Sequence, residues 1–285
     1  MTWPVLKGRT GGSPRIAYEV CGQGEELVCF LHGIGGNKSN WSDQLAYFAD
    51  RGMTALAWDV RGYGESDDFE GAFDFAEISA DLLRLLDHRG ADSAHFVGLS
   101  MGGRILMDFG HRHPERVRSL TICAAFPSFG KALDPAQREQ YLRLRREPLL
   151  SGLTFTDLAD SLIQSLAGPN LDEHVHARLL ESICALRKPS YLKALEAAVY
   201  FDRIREIQEI RSRTLLLYAD GDRLTPPHMG REVAAMMPQA EFHVLSECGH
   251  LMNLECPDVF NRIVFEFIQG GQRNTPAVHD TPSAA

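Results

Sequence analysis

A mostly parallel, doubly wound α/β sheet carrying a helical insertion is predicted by three observations. Short apolar runs such as Leu27–Leu31 (LVCFL) alternate with amphipathic helical patterns at the spacing of strand–helix–strand units. One strand, ending at Val97, passes into a helix through Gly98-Leu99-Ser100-Met101-Gly102, a sharp turn of the form G-x-S-x-G. From Phe126 to Arg205 helical patterns follow one another with no strand, after which the strand pattern resumes.

Val5–Lys7 and Arg15–Val20 predict two opening strands joined through Gly11-Gly12-Ser13-Pro14 as a hairpin. Leu27–Leu31, apolar on both faces, suits a central parallel strand covered by helices, and it ends in His32-Gly33-Ile34-Gly35-Gly36. A helix is predicted over Trp41–Asp50 and a buried strand over Thr54–Trp58, which leads into the glycine-punctuated loop Asp59–Ser66. Phe75–His88 repeats apolar residues at Ile78, Leu82, Leu85 and Leu86, the stripe of an amphipathic helix. The strand at Ala94–Val97, the helix Met101–His113 and the strand Val117–Ala125 follow.

Within the insertion, helices are predicted over Pro135–Glu147, Thr156–Leu166, Leu171–Leu186 and Ser190–Phe201, with Gly168-Pro169 as a break. Strands at Arg213–Ala219 and Glu241–Leu245, with helices at Arg231–Met237 and Asp258–Phe267, complete the core. The expected division is a core of residues 1–125 and 206–269, a helical cap of 126–205 over the C-terminal edge of the sheet, and a disordered polar tail of 270–285.

The 285 residues, 44% hydrophobic with net charge −9, hold a full α/β core and argue against a nucleic-acid or anionic-membrane partner. Six scattered cysteines without a C-x-x-C pair read as reduced thiols of a cytoplasmic protein. No signal-peptide core or bilayer-length apolar run is present, so the sequons at Asn37 and Asn40 are read as chance. His111/His113 and His174/His176 have H-x-H spacing, which on a helix points the rings to different faces; no metal and no cofactor are expected. The arginines Arg143, Arg145 and Arg146 read as a solvated helix face, with carboxylate binding as an alternative. Phe129, Tyr141, Phe155 and Tyr200 read as core or pocket lining.

A serine hydroxyl needs a base within reach, itself oriented by a third group. In an open parallel sheet such partners stand just after the carboxyl ends of strands. Asp220 and Asp222 follow one late strand and His250 follows the next, in the order Ser, Asp, His.

The chain resembles the α/β-hydrolase superfamily over nearly its whole length. The resemblance is carried by His32-Gly33, Trp41, Asp59-x-Arg61-Gly62-x-Gly64-x-Ser66, Gly98-x-Ser100-x-Gly102-Gly103, His113–Val117, Asp222 with Thr225-Pro226, and Gly249-His250. It implies an α/β-hydrolase sheet with Ser100 as nucleophile, His250 as base and then acid, and Asp222 orienting the imidazole. It also implies an oxyanion hole from the backbone N–H groups of Ile34 and Met101. Ala219 replaces the glycine usual before the acid, which leaves Asp220 a rival. His32 is expected to hold the oxyanion loop, and Asp59 and Arg61 to tie loops together or touch substrate.

Within the superfamily the chain is most similar to capped serine esterases and 3-oxoadipate enol-lactonase-like proteins. That implies cleavage of a small-molecule ester or lactone. Haloalkane dehalogenases and epoxide hydrolases carry aspartate where Ser100 stands. The carbon–carbon hydrolases of aromatic degradation carry asparagine and tryptophan where Leu99 and Leu251 stand. A non-catalytic receptor on the same fold is the third reading.

Overall fold

The computed structural model describes residues 3–130, 133–168 and 171–270. Of the tail expected over 270–285, residues 271–285 lie outside the described residues, as does Pro169.

Eight strands form one sheet: β1 (Leu6–Arg9), β2 (Ala17–Cys21), β3 (Leu27–Leu31), β4 (Thr54–Trp58), β5 (Ala94–Leu99), β6 (Val117–Cys123), β7 (Arg213–Ala219) and β8 (Glu241–Leu245). Their order is β1-β2-β4-β3-β5-β6-β7-β8. Both β1 and β4 pair antiparallel with β2, so β2 alone runs against the rest; this is the predicted opening hairpin. The strands from β3 to β8 pair in parallel. Every residue of β3 and β5 is buried, as strands covered on both faces must be.

The helices are α1 (Ser42–Ala49), α2 (Phe75–His88), α3 (Met101–Arg112), α4 (Pro135–Leu150), α5 (Phe155–Leu166), α6 (Glu173–Cys184), α7 (Lys188–Tyr200), α8 (Pro227–Met236), α9 (Met252–Glu255) and α10 (Pro257–Ile268). Helix α2 shows why the pattern was legible. Asp74 caps it by accepting from the Ala76 N–H at 2.7 Å, and Ile78, Leu82, Leu85 and Leu86 are at most 1% exposed. Burying each such side chain contributes on the order of 2 kcal/mol.

Helices α4 to α7 make up the insertion between β6 and β7. Asp134 with Gln137 and Thr154 with Asp157 form reciprocal caps for α4 and α5, and Asp172 caps α6. These helices therefore begin where their own sequence starts them. A bridge between Ser128 and Asp202, with Arg203 N–H donating to Pro127 O at 2.9 Å, closes the base of the insertion.

Several boundaries differ from expectation. The helix predicted from Trp41 starts as a 3₁₀ turn, Lys38–Trp41, because Asn37 and Asn40 cap it reciprocally; both sequon asparagines are thus used in local structure. Helix α4 runs on through Pro148, and α8 starts at Pro227, where proline is accommodated in the first turn.

Candidate active site

Ser100 sits between the end of β5 and the start of α3 with φ 55° and ψ −109°, a left-handed conformation that a side chain rarely adopts. Its N–H donates to Cys123 O at 2.8 Å, which pins the turn to β6. The bend is possible because its neighbours lack Cβ atoms. One on Gly98 would lie 2.5 Å from the Gly102 carbonyl carbon, and one on Gly102 would lie 2.7 Å from that of Leu31. Met101 is the first residue of α3, so its N–H has no intrahelical acceptor.

Across the sheet edge, Ile34 follows β3 in a turn closed by Gly36 N–H donating to Gly33 O at 3.1 Å. His32 holds this turn. Its Nε2 accepts from Val60 N–H at 3.1 Å, which leaves Nδ1 to donate to Gly33 O at 2.8 Å. Burial lowers its pKa despite the nearby Asp59 carboxylate, so the ring is kept neutral. Asp59 accepts from the Lys38 N–H, the Lys38 ammonium and the Glu65 N–H, each at 2.8 Å. Arg61 pairs with Asp81 at 2.6 Å and with Glu77. Neither Asp59 nor Arg61 lines the cavities at Ser100; both tie loops together.

The acid and the imidazole meet after β7 and β8. Asp222, 2% exposed, accepts from His250 Nδ1 at 2.8 Å, from the N–H groups of Leu224 and Thr225 at 2.8 and 2.9 Å, and from the Thr225 hydroxyl. Burial pushes its pKa up, but the imidazole and the Thr225 donors outweigh this, and the net displacement is downward. A carboxylate at Nδ1 assigns the ring proton to that nitrogen and leaves Nε2 as the acceptor. Asp220 is exposed and makes no hydrogen bond to His250, its N–H donating to Leu245 O at 2.9 Å.

His250 is also held from its own backbone. Its N–H donates to Leu166 O at the end of α5, 3.1 Å away. Glu255 accepts from Gly249 N–H, Leu251 N–H and Gly168 N–H at 3.1, 3.1 and 2.8 Å. No sequence signal marks Glu255, an acid in a helix too short to show periodicity.

Ser100 lines two adjoining cavities. The smaller contains His250, His32, Leu99 and Leu251 in its wall; within it Ser100 Oγ and the imidazole are not hydrogen-bonded to each other. The larger, about 280 Å³, is lined at the sheet edge by Ile34, Ser100 and Met101. From the insertion it takes mostly apolar side chains, among them Leu162, Ile183, Tyr191 and Leu195. Phe129 and Tyr141 line it as well, whereas Phe155 packs on Tyr191 with ring centroids 5.0 Å apart and Tyr200 is exposed.

The arginine-face expectation holds for Arg143 and Arg146, which pair with Glu147 and Glu139 at 3.9 and 2.5 Å. It fails for Arg145, which lines the large cavity with its guanidinium carbon 3.4 Å from the Tyr141 ring centroid. One turn of α4 separates exposed from cavity-facing positions, and sequence spacing alone does not orient the helix.

His111 pairs with Glu209 and His176 with Asp160, and among the described residues no group of three or more His, Cys, Asp or Glu could hold a metal. Cys21, Cys29, Cys123 and Cys248 are buried free thiols, Cys256 is half-buried and Cys184 is exposed. Among the described residues no helix is long and apolar enough to cross a membrane.

Comparison with known proteins agrees with this architecture. The chain is 29% identical over 279 residues to a 2-hydroxy-6-oxononadienedioate/2-hydroxy-6-oxononatrienedioate hydrolase of Paraburkholderia phymatum, covering 93% of both chains. It is 26% identical to the hydrolase of the same name from Escherichia coli, over 90% of this chain and 92% of that one. Its fold is similar to that of the enol-lactonase from Burkholderia xenovorans, with TM-score 0.79, 23% identity and coverage of 93% and 100%. It is also similar to that of a hydrolase from Pseudomonas aeruginosa, with TM-score 0.81, 24% identity and coverage of 93% and 98%. The family described as alpha/beta hydrolase fold matches residues 26–257. A match of that length, on a sheet of this order, makes the chain a member of the alpha/beta hydrolase family.

Proposed function

We propose that this protein is a serine hydrolase that cleaves a small carboxylic ester or lactone through an acyl-enzyme. The observation that carries the reading is the buried Asp222–His250 pair at 2.8 Å, its imidazole lining the same cavity as a serine held at positive φ. In this reading His250 Nε2 takes the proton from Ser100 Oγ as the oxygen adds to the substrate carbonyl. The oxyanion so formed accepts from the N–H groups of Ile34 and Met101, the one at a turn held by neutral His32 and the other at a helix N-terminus. His250 then returns the proton to the departing alkoxide, leaving an ester on Ser100. Water, deprotonated by the same nitrogen, reverses the sequence and releases the carboxylic acid. Asp222 keeps the Nδ1 proton in place and stabilises the imidazolium in both halves. We further infer that residues 126–205 act as a cap, since this stretch supplies most of the large cavity's wall.

The Ser100→Ala variant is expected to lose hydrolysis of p-nitrophenyl acetate by about 10³-fold or more with an unchanged far-ultraviolet circular dichroism spectrum. Turnover equal to wild type would reject the assignment.

The names of the curated relatives favour a second reading, hydrolysis of a carbon–carbon bond. That reaction expels a carbon leaving group whose negative charge must be spread into an enolate and met by polar donors. The positions beside the nucleophile and the imidazole are Leu99 and Leu251, both apolar and both in the wall of the small cavity. At these two positions the side chains supply no donor, although Arg104, Arg145 and Arg223 line the adjoining cavity; the two leucines are what supports the ester reading. Incubation with a vinylogous diketone beside a panel of esters and lactones separates the two, and cleavage of the diketone alone would reverse the preference.

A further inference from the structure

Two of the six cysteines stand at the ends of the segment that carries the imidazole. Cys248 precedes His250 by two residues, and Cys256 directly follows Glu255 at the start of α10. Cys248 is fully buried and Cys256 half-buried, and both are free thiols. Neither thiol takes part in the proposed catalysis.

The chain turns the two side chains toward each other. Cys248 Sγ lies 4.0 Å from Met252 O, the carbonyl that also accepts from the Cys256 N–H at 3.1 Å. Cys256 Sγ lies 3.9 Å from Glu247 O, on the peptide group that leads into Cys248. Each sulfur thus reaches the main chain beside the other, and the thiols are in hydrogen-bonding contact. Burial raises the Cys248 pKa, and the Cys256 thiol with the Glu255 and Asp220 carboxylates raise it further. Cys248 on its own is therefore an inert, protonated thiol, whereas Cys256 is the one that solvent reaches.

What hangs on Cys248 gives the contact a consequence. Its carbonyl accepts from Gly221 N–H at 2.9 Å, which joins the loop of Asp222 to the loop of His250. Cys256 is fixed from the other side, because α10 is anchored by Phe260 and Val264, both fully buried. A disulfide imposes a set geometry on its two Cβ atoms, which two thiols in contact do not. The adjustment falls on the loop at Cys248, and with it on the Asp222–His250 pair.

We propose that Cys248 and Cys256 form a modification site for a hydroperoxide, which closes them into a reversible disulfide and so switches off the catalytic site beside them. The Cys256 thiolate attacks one oxygen of hydrogen peroxide; the O–O bond breaks, water leaves, and Cys256 becomes a sulfenic acid. The Cys248 sulfur then displaces the sulfenic hydroxyl, which departs with the Cys248 proton as a second water. The two thiols lose two electrons, and one peroxide is reduced to two waters. A dithiol reductant reopens the bond by exchange. The effect on turnover rests on the serine-hydrolase reading, whereas the thiol chemistry does not.

The test treats the full-length protein with stoichiometric hydrogen peroxide, followed by catalase, alkylation and digestion after glutamate without reduction. Cleavage after Glu247, Glu255 and Glu266 leaves Cys248 in peptide 248–255 and Cys256 in peptide 256–266, so a bridge joins two separate peptides. The expected product is that linked pair, lighter by two hydrogen atoms than the sum of its parts. Hydrolysis of p-nitrophenyl acetate is expected to fall about tenfold or more as the bridge forms, the cost of a displaced imidazole, and to return with dithiothreitol. Cys256→Ser is expected to keep its turnover after peroxide. Cys184→Ser, which removes the exposed thiol, is expected to respond as wild type does. In Cys248→Ser the sulfenic acid at Cys256 is expected to persist and to be trapped by dimedone.

A linked pair with unchanged ester turnover would overturn the switch. So would peroxide inactivation of Cys256→Ser equal to that of wild type, since the damage would then lie elsewhere. Absence of the linked pair after peroxide would overturn the site itself. A linked pair in a protein that turns over no ester, reduced or oxidised, would uphold the thiol site and sink only the hydrolase reading.

Discussion

Burial alone would raise the pKa of Asp222, yet its four donors hold it low, so the carboxylate is an anion throughout the neutral range. That charge is what an imidazolium at His250 would meet. In Asp222→Asn the amide can present either its oxygen or its NH₂ to Nδ1, and the orientation of the ring proton is no longer dictated. A loss of roughly 10³- to 10⁴-fold in kcat is expected, against near wild-type rates for exposed Asp220→Asn. The reverse pattern would move the acid by two positions. Glu255 acts one step further out. Three backbone N–H groups converge on its two oxygens, and a glutamine would set an NH₂ against one of those donors. Glu255→Gln is expected to lower kcat about tenfold with KM within about twofold; an unchanged kcat would show that the loop keeps its shape unaided. The contrast between these residues marks how far sequence reasoning reached. Ser100, Asp222 and His250 stand at fixed places relative to strand ends, which pattern and chain order reveal. Glu255 acquires meaning only from the N–H groups that converge on it, that of Gly168 from a segment far away in the chain.

At the scale of elements, Leu27–Leu31, Thr54–Trp58, Phe75–His88, Arg213–Ala219 and Glu241–Leu245 match the sequence expectation residue for residue. Complete burial alone does not set a boundary: β5, buried throughout, runs two residues past the expected Val97 into Gly98-Leu99, because the glycine that shapes the turn still pairs with β6. The four-residue helix α9 was not predicted, since one turn carries no period. The turn at Ser100 shows how an element depends on what it lacks. A Cβ on Gly102 meets main-chain atoms of β3, the strand that would have to move out of register with β4 and β5 to admit it. Gly52 is the converse case: unlike helical Gly102 it has positive φ, 81°, but open space around its Cα. Gly52→Ala is therefore expected to destabilise by about 1 kcal/mol, the strain of the left-handed backbone alone. Gly102→Ala is expected to lose about 3 kcal/mol or more in urea unfolding, or to fail to fold. Equal effects at the two positions would mean that β3 yields to the added methyl group and the clash does not set the requirement.

For the whole molecule, the buried titratable groups His32, His95, Asp108 and Asp222 share one response to acid. His32 and His95 are buried, and in each case burial lowers the pKa more than a nearby carboxylate, Asp59 or Glu26, raises it. The native state therefore keeps these rings neutral at a pH where the unfolded chain protonates them. Below the ordinary histidine value of 6.5 the unfolded state binds more protons, so stability falls as pH falls. Asp108 and Asp222 add to this at lower pH. Burial raises both, but arginines at Asp108 and the imidazole at Asp222, with hydroxyl donors, bring them below 3.8. Their stabilisation is present above the unfolded value and is lost as pH drops through the native one, which is the same sign. No opposing contribution arises from His32, because charging Nε2 would break its bond from Val60 and release the turn that holds Ile34. Urea midpoints taken from pH 8 to pH 5 should therefore be level above about 7 and decline below it. The limiting slope is about 1.4 kcal/mol per pH unit for each neutral histidine. On the proposed mechanism activity should fade in the same interval in solutions where the protein is still folded, since charging His32 removes the Val60 bond that braces the turn at Ile34. A midpoint that stayed constant down to pH 5 would show that His32 is protonated in the native state, and the assignment of that ring as the neutral brace of the turn would have to be withdrawn.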